Sequence, residues 1–254
     1  MSVEPAGEVF VETAGRLHFG VLDLRGDRDR WFGGIGAAAP GPTLRLSARC
    51  ADVLEATGDD ADRAGEFASR FLAHHQVRGA ARLHVHRALP RHAGLGSGTQ
   101  LALAVARALA ELHGLPTDAR ALAHAVGRGR RSAIGTWTFA GGGLVVEGGR
   151  RRDREEGGPL ISRIPFPAAW RCVVAIPGSV APGISGAMED AAFASLPSPS
   201  EREVERVSHL VLMGLLPALA DADLPAAGEE YARAVETAVK GHNRSRVRRN
   251  PWVR

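Results

Sequence analysis

Apolar and polar positions alternate with a period of two through much of the first half of this chain. Toward the end they recur at helical spacing, so strands are expected early and helices late. Residues 9–13 and 17–24 are rich in β-formers, with glycines between and after them. Residues 30–36 read as a glycine turn into the next strand, and residues 43–47 and 82–87 alternate as half-exposed strands do. Between these, residues 59–76 form an amphipathic pattern with Ala64, Phe67, Ala68, Phe71 and Leu72 on one face. An alanine-rich helix is expected from residue 97 to about His113, where Gly114 and Pro116 stop it, followed by a short helix over 118–126. Residues 141–149 predict a strand between turns, 150–158 a charged exposed connection, and 170–177 a buried strand ended by Pro177. Helices are expected over 185–193, 200–216 and 224–240. Strands followed by helices argue an α+β fold rather than a repeating βαβ array, with the best domain boundary near residues 150–160.

Composition narrows the class. A chain of 254 residues with 44% hydrophobic residues can bury a large core. Its first residues have no basic stretch leading into an apolar one, so no signal peptide is expected. The longest apolar run, around residues 210–216, is far shorter than the ~20 residues of a membrane span. Cys50 and Cys172 stand alone, as reduced thiols of a cytoplasmic protein would. The net charge of +4 resides in residues 241–254, which hold five arginines and no acid; the remainder has 27 basic against 28 acidic residues. With no aromatic and basic stripe to accompany this tail, nucleic acid is not an expected partner.

The most specific local chemistry lies at Gly94-Leu95-Gly96-Ser97-Gly98-Thr99, which runs straight into the alanine-rich helix. A glycine turn feeding a helix start presents unpaired N–H groups at the positive end of the helix dipole, an arrangement that suits phosphate. It is not the P-loop of nucleotide hydrolases, which ends in Lys-Ser or Lys-Thr, because the only lysine is Lys240. Nor are its glycines spaced as in the dinucleotide fingerprint.

With Pro90 and His92 before it, this loop resembles that of the GHMP small-molecule kinase superfamily and, more narrowly, of the β-ribofuranosylaminobenzene 5′-phosphate synthase family. Four further segments resemble the same family in order: residues 14–24, 32–36, 129–135 with 141–149, and 182–193. Together the five span about residues 8–240. The resemblance implies a GHMP-kinase-like α+β fold: a ribosomal-S5-domain-2-like α/β sandwich over residues 1–155, then a ferredoxin-like α+β domain over 156–240, left incomplete because residues 241–254, unlike the family, read as a basic, disordered tail. It implies transfer of a phosphoribosyl group from 5-phosphoribosyl 1-diphosphate to 4-aminobenzoate or a related para-substituted benzoate, with loss of CO2 and diphosphate, in methanopterin biosynthesis. Mg2+ and a homodimer come with it.

On that reading Gly94, Leu95, Gly96, Ser97, Gly98 and Thr99 bind phosphate, Arg131 and Ser132 bind substrate, and Arg16, His18 and Asp23 are the catalytic candidates. Ser97 and Asp23 are possible Mg2+ ligands. Each has a plainer reading: Arg16 as a surface arginine, His18 as a satisfied core histidine, Asp23 as a turn cap, Arg131 and Ser132 as a helix cap, Glu189 as a solvated charge. His84 and His86 share one strand face, a spacing that suits zinc only with a third ligand. Two alternatives stay open. One is an ATP-dependent kinase using the same loop. The other is an inactive truncated copy, because the arginine-rich end departs from the family and reads as a frame change.

Overall fold

In the computed structural model, residues 7–176, 191 and 195–242 are described. Two long strands form the spine. β1 (Val9–Asp23) pairs antiparallel with β2 (Arg30–Ala51), and β2 also pairs with β4 (Ala80–Arg87), β5 (Leu144–Glu147) and the short β6 (Arg150–Arg151). β3 (Glu55–Gly58) joins β4 in parallel and β7 (Leu160–Ile164) joins β5. The result is a seven-stranded sheet in the order β3-β4-β2-β5-β7, with β1 and β6 also on β2.

Residue parity along β2 sorts two cores. Leu44, Leu46 and Ala48, with Ala81, Leu83 and Val85 of β4, face α1 (Ala61–His74), α2 (Ser97–Leu112) and α3 (Ala119–Ala125). Ile35 and Ala37, with Leu144 and Val146 of β5, pack instead against a helical run of α5 (Glu201–Leu210), a π-helical turn (Val211–Leu215), α6 (Leu216–Ala220) and α7 (Leu224–His242). α2 is buried along nearly its whole length, which its unbroken Ala/Leu/Val surface requires. Its glycine start is the end that reaches the site.

The helices expected near 59–76, 97–113, 118–126, 200–216 and 224–240 are present, and the α+β class stands. Three expectations are corrected. Residues 30–36 are the start of β2, not a turn; their glycines thin the sheet, since a Cβ on Gly36 would collide with Ile134 of α4 (Ile134–Gly141) and with the Leu17 carbonyl. Residues 170–176 are irregular, with Val173 90% exposed, rather than a buried strand. A strand needs a ladder partner, and β7 is the last strand on that side among the described residues. Residues 150–158 are not wholly a connection, since β6 lies within them. β7 lies beyond residue 155 yet pairs with β5, so the sheet continues across the expected boundary. The segment 182–193 apart from residue 191, Glu189 included, and most of the basic tail lie outside the described residues.

Candidate active site

The glycine loop is clamped from below by β1. The Arg16 amide donates to the Leu95 carbonyl at 2.9 Å, and its guanidinium Nη1 donates to the Gly94 carbonyl at 2.8 Å. Leu95 itself is 2% exposed, so it anchors the loop in the core rather than facing a ligand. Gly94 (φ 74°) and Gly96 (φ 69°) adopt left-handed backbone, which glycine reaches without strain. Gly96 caps α2 with no side-chain partner for the helix amides. The amides of Thr99 and Gln100 donate to the Gly96 carbonyl at 2.9 and 3.0 Å. Thr99 is therefore removed from the expected amide cradle. Gly96, Ser97 and Gly98 have no backbone acceptor among the described residues, and these amides stand at the positive end of the α2 dipole.

Cations ring this helix start. A Cβ on Gly98 would lie 2.5 Å from Arg63 Nη2 and 3.3 Å from Arg128 Nη2, and one on Gly96 would lie 2.9 Å from Arg16 Cγ. Gly98 thus lets two guanidiniums approach the backbone. Burial, and then the charges of Arg63, Arg70 and Arg131, hold the Arg128 guanidinium below its ordinary range. Its stack over the Phe67 ring, 4.9 Å to the centroid, sets its plane. Arg63 and Arg91 share Asp60, Arg63 at 3.0 Å. Such mutual repulsion raises the affinity of the site for an anion.

A second group lies beside the first. His18 Nε2 is 3.2 Å from Ser132 Oγ, which also accepts from the Ile134 amide at 3.3 Å and bonds the Glu147 carboxylate. Burial, with the charge of Arg16 second, lowers the His18 pKa to about 4, so the ring is neutral at pH 7. Glu147 is fully buried; its two oxygens accept from the amides of Ala133 (3.4 Å) and Gly149 (2.8 Å). Burial raises its pKa, against the lowering effect of those bonds.

Arg16, His18, Ser132 and the loop are thus linked by contacts. Arg131 extends the same region, since its charge acts on Arg128. Asp23 is tied to its own turn: its Oδ1 accepts from the Arg25 and Gly26 amides at 2.7 and 2.9 Å. His84 bonds Thr57 Oγ1 at 2.9 Å and His86 bonds Ser47 Oγ at 3.0 Å, and no cluster of three metal-ligating side chains exists among the described residues.

Sequence reasoning missed Arg63, Arg128 and Glu147. Arg63 and Arg128 carry no motif, since α1 and the turn after α3 bring them to the loop from 34 residues upstream and 31 downstream of Ser97. Glu147, the single carboxylate in the run Leu-Val-Val-Glu, gave a usable signal: an acid on a short buried strand needs partners. Gln100 is a similar case, buried at 0% in the apolar helix, where it accepts from Thr13 (2.9 Å) and donates to the Gly135 carbonyl (3.0 Å), tying β1, α2 and α4 together.

Comparison with known proteins identifies the family and the fold. The family model for the GHMP kinases N terminal domain matches residues 62–142, which hold α1, the loop, α2 and α4. The chain is 35% identical to β-ribofuranosylphenol 5′-phosphate synthase of Methanothermobacter thermautotrophicus, over 92% of this chain and 77% of that protein. It is 37% identical to the Archaeoglobus fulgidus protein of the same name, over 91% and 76%. Among solved structures it is similar in fold to Streptococcus pneumoniae phosphomevalonate kinase, with a TM-score of 0.63 at 16% identity, covering 91% of this chain and 79% of that one. On the strength of the first two, the chain belongs to the β-ribofuranosylphenol 5′-phosphate synthase family, enzymes of the pentosyltransferase type on a GHMP-kinase fold.

Proposed function

We propose that the protein transfers a phosphoribosyl group from 5-phosphoribosyl 1-diphosphate to a para-substituted benzoate, with release of CO2 and diphosphate. The acceptor is 4-aminobenzoate or its hydroxyl analogue; the second matches the phenol in the relatives' name. The C-riboside product feeds methanopterin biosynthesis, and the enzyme works as a cytoplasmic homodimer. The observation that carries the reading is the α2 start, where bare amides of Gly96, Ser97 and Gly98 meet Arg16, Arg63 and Arg128. That site is charged for more than one phosphate.

The electron count needs no net proton. The bond from the sugar carbon to the diphosphate oxygen breaks, and its electron pair leaves with diphosphate. The ring carbon bearing the carboxylate bonds to the sugar carbon. The bond to the carboxyl carbon then breaks and returns its pair to the ring as CO2 departs. Donors fixed at the leaving diphosphate stabilise the charge that grows there. His18, held neutral, adds no cation beside a sugar carbon that turns positive. Ser132 and Glu147 orient its ring, so they are positioning residues.

Mg2+ fits this donor set as a substrate-borne ion, since Mg2+ keeps several waters and binds mainly through substrate phosphates. Ser97 at the helix start would hold it, and it would neutralise the diphosphate. Asp23 is the weaker candidate, with one oxygen already committed to its turn. The test is release of labelled CO2 from carboxyl-labelled 4-aminobenzoate and 4-hydroxybenzoate. Release that depends on the sugar diphosphate is expected. ATP binding with no release from either benzoate would contradict the reading and favour a kinase.

A further inference from the structure

A cavity of about 620 Å³ opens beside the β1–β2 turn. Arg25, Arg130, Arg131 and Arg150 line it with one carboxylate, Glu155, and the Trp31 ring. Three of these cations have partners: Arg25 pairs with Asp27, Arg130 pairs with Glu155 at 3.0 Å, and Arg131 is also engaged. Arg150 has no ion pair among the described residues. Its Nη1 donates to the Arg154 carbonyl at 3.1 Å, and its Nε is buried with no hydrogen-bond partner. The guanidiniums outnumber the carboxylates around this cavity, and an anion in it would offset that charge. Arg131 connects this cavity to the loop, because it lines the cavity and its charge acts on Arg128, which lies over Gly98. A row of cations therefore leads from the helix start to a second basic chamber.

We propose that this cavity binds a phosphomonoester dianion, the 5-phosphate of the sugar donor, while the loop holds the diphosphate at the other end. The inference rests on the phosphoribosyl-transfer reading above. The acceptor carboxylate is the competing occupant, and the chemistry argues against it. A carboxylate that leaves as CO2 loses its charge along the reaction. An arginine grip would stabilise the starting state more than the transition state and slow the step. The 5-phosphate keeps its charge throughout, so gripping it orients the sugar without opposing the chemistry. A dianion also suits several arginines better than a single carboxylate does.

Calorimetric titrations with ribose 5-phosphate, inorganic diphosphate and 4-hydroxybenzoate test this on the full chain, on Arg150→Gln and on Arg63→Gln. Arg150→Gln is expected to weaken ribose 5-phosphate at least tenfold and to leave diphosphate within twofold; Arg63→Gln is expected to do the reverse. Arg130→Gln and Arg150→Lys carry the same comparison if Arg150→Gln does not fold, the lysine retaining part of the affinity. No binding of ribose 5-phosphate to the unaltered chain would overturn the proposal. So would an affinity for it that these changes leave intact, or a loss confined to the benzoate. The two readings fail separately. Selective loss of ribose 5-phosphate without labelled CO2 release from the unaltered enzyme sustains the cavity and refutes the reaction. Release of CO2 with the cavity variants unaffected does the opposite.

Discussion

The two groups at this site work by opposite physics. Around α2 the donors are main-chain amides left bare by a glycine start, backed by guanidiniums that repel one another. At His18, Ser132 and Glu147 the groups are half-buried or, for Glu147, fully buried and bonded to one another, and burial more than charge sets the protonation of His18 and Glu147. The first region is open to an anion and gains when one arrives. The second is closed and holds a neutral ring in place. Changes in the first should therefore act on binding, and changes in the second on stability and pH dependence.

The largest effect expected is at the closed centre. Glu147→Ala leaves the buried Ala133 and Gly149 amides unpaired, so chemical denaturation should show a loss of about 3 kcal/mol. A loss under about 0.5 kcal/mol, the range of an ordinary surface change, would mean the carboxylate is not the hub described. Next come the open-site cations. Arg63→Gln and Arg128→Gln should each weaken inorganic diphosphate by about 10- to 100-fold, the worth of one charge-assisted bond, with little change in unfolding. Equal loss of stability and binding would erase the contrast between the regions.

The pH dependence sharpens it further. His18 has a folded pKa of about 4, below its ordinary 6.5, so the unfolded chain takes up its proton first as pH falls. Stability is full above 6.5 and declines from there toward 4; between pH 7 and 5 the loss from this group is about 2 kcal/mol. Glu147, with a raised pKa, acts in the opposite sense, its stabilisation fading as pH rises above the ordinary carboxylate value. The difference between the unaltered chain and His18→Asn isolates the histidine, and equal pH slopes for the two would refute its burial. The smallest effect is at Asp23. As a turn cap, Asp23→Ala should cost about 1 kcal/mol of stability and leave turnover within a few-fold, whereas loss of turnover by several decades would restore its catalytic role.

The contrast also explains what could be read from the sequence. The loop and α2 were legible because glycine spacing and helix onset are local properties. So was the α1 face, whose Ala64, Phe67, Ala68 and Phe71 are buried as the periodicity predicts. The path of β2 was not. Its Gly33, Gly34 and Gly36 look like a turn but serve close packing against β1 and α4, a tertiary demand invisible to local propensity. Arg63 and Arg128 were equally hidden, since only the folded chain brings them over Gly98. At 170–176 an apolar run did not become a strand, because a strand is a property of a pair.

The account depends most on the bare amides of Gly96, Ser97 and Gly98. Their resonances in amide-resolved NMR, followed during titration with inorganic diphosphate, test it directly. Those three should move together and saturate with binding, while Thr99 and Gln100, already bonded to the Gly96 carbonyl, move far less. Diphosphate that binds and leaves all three unmoved would contradict the account.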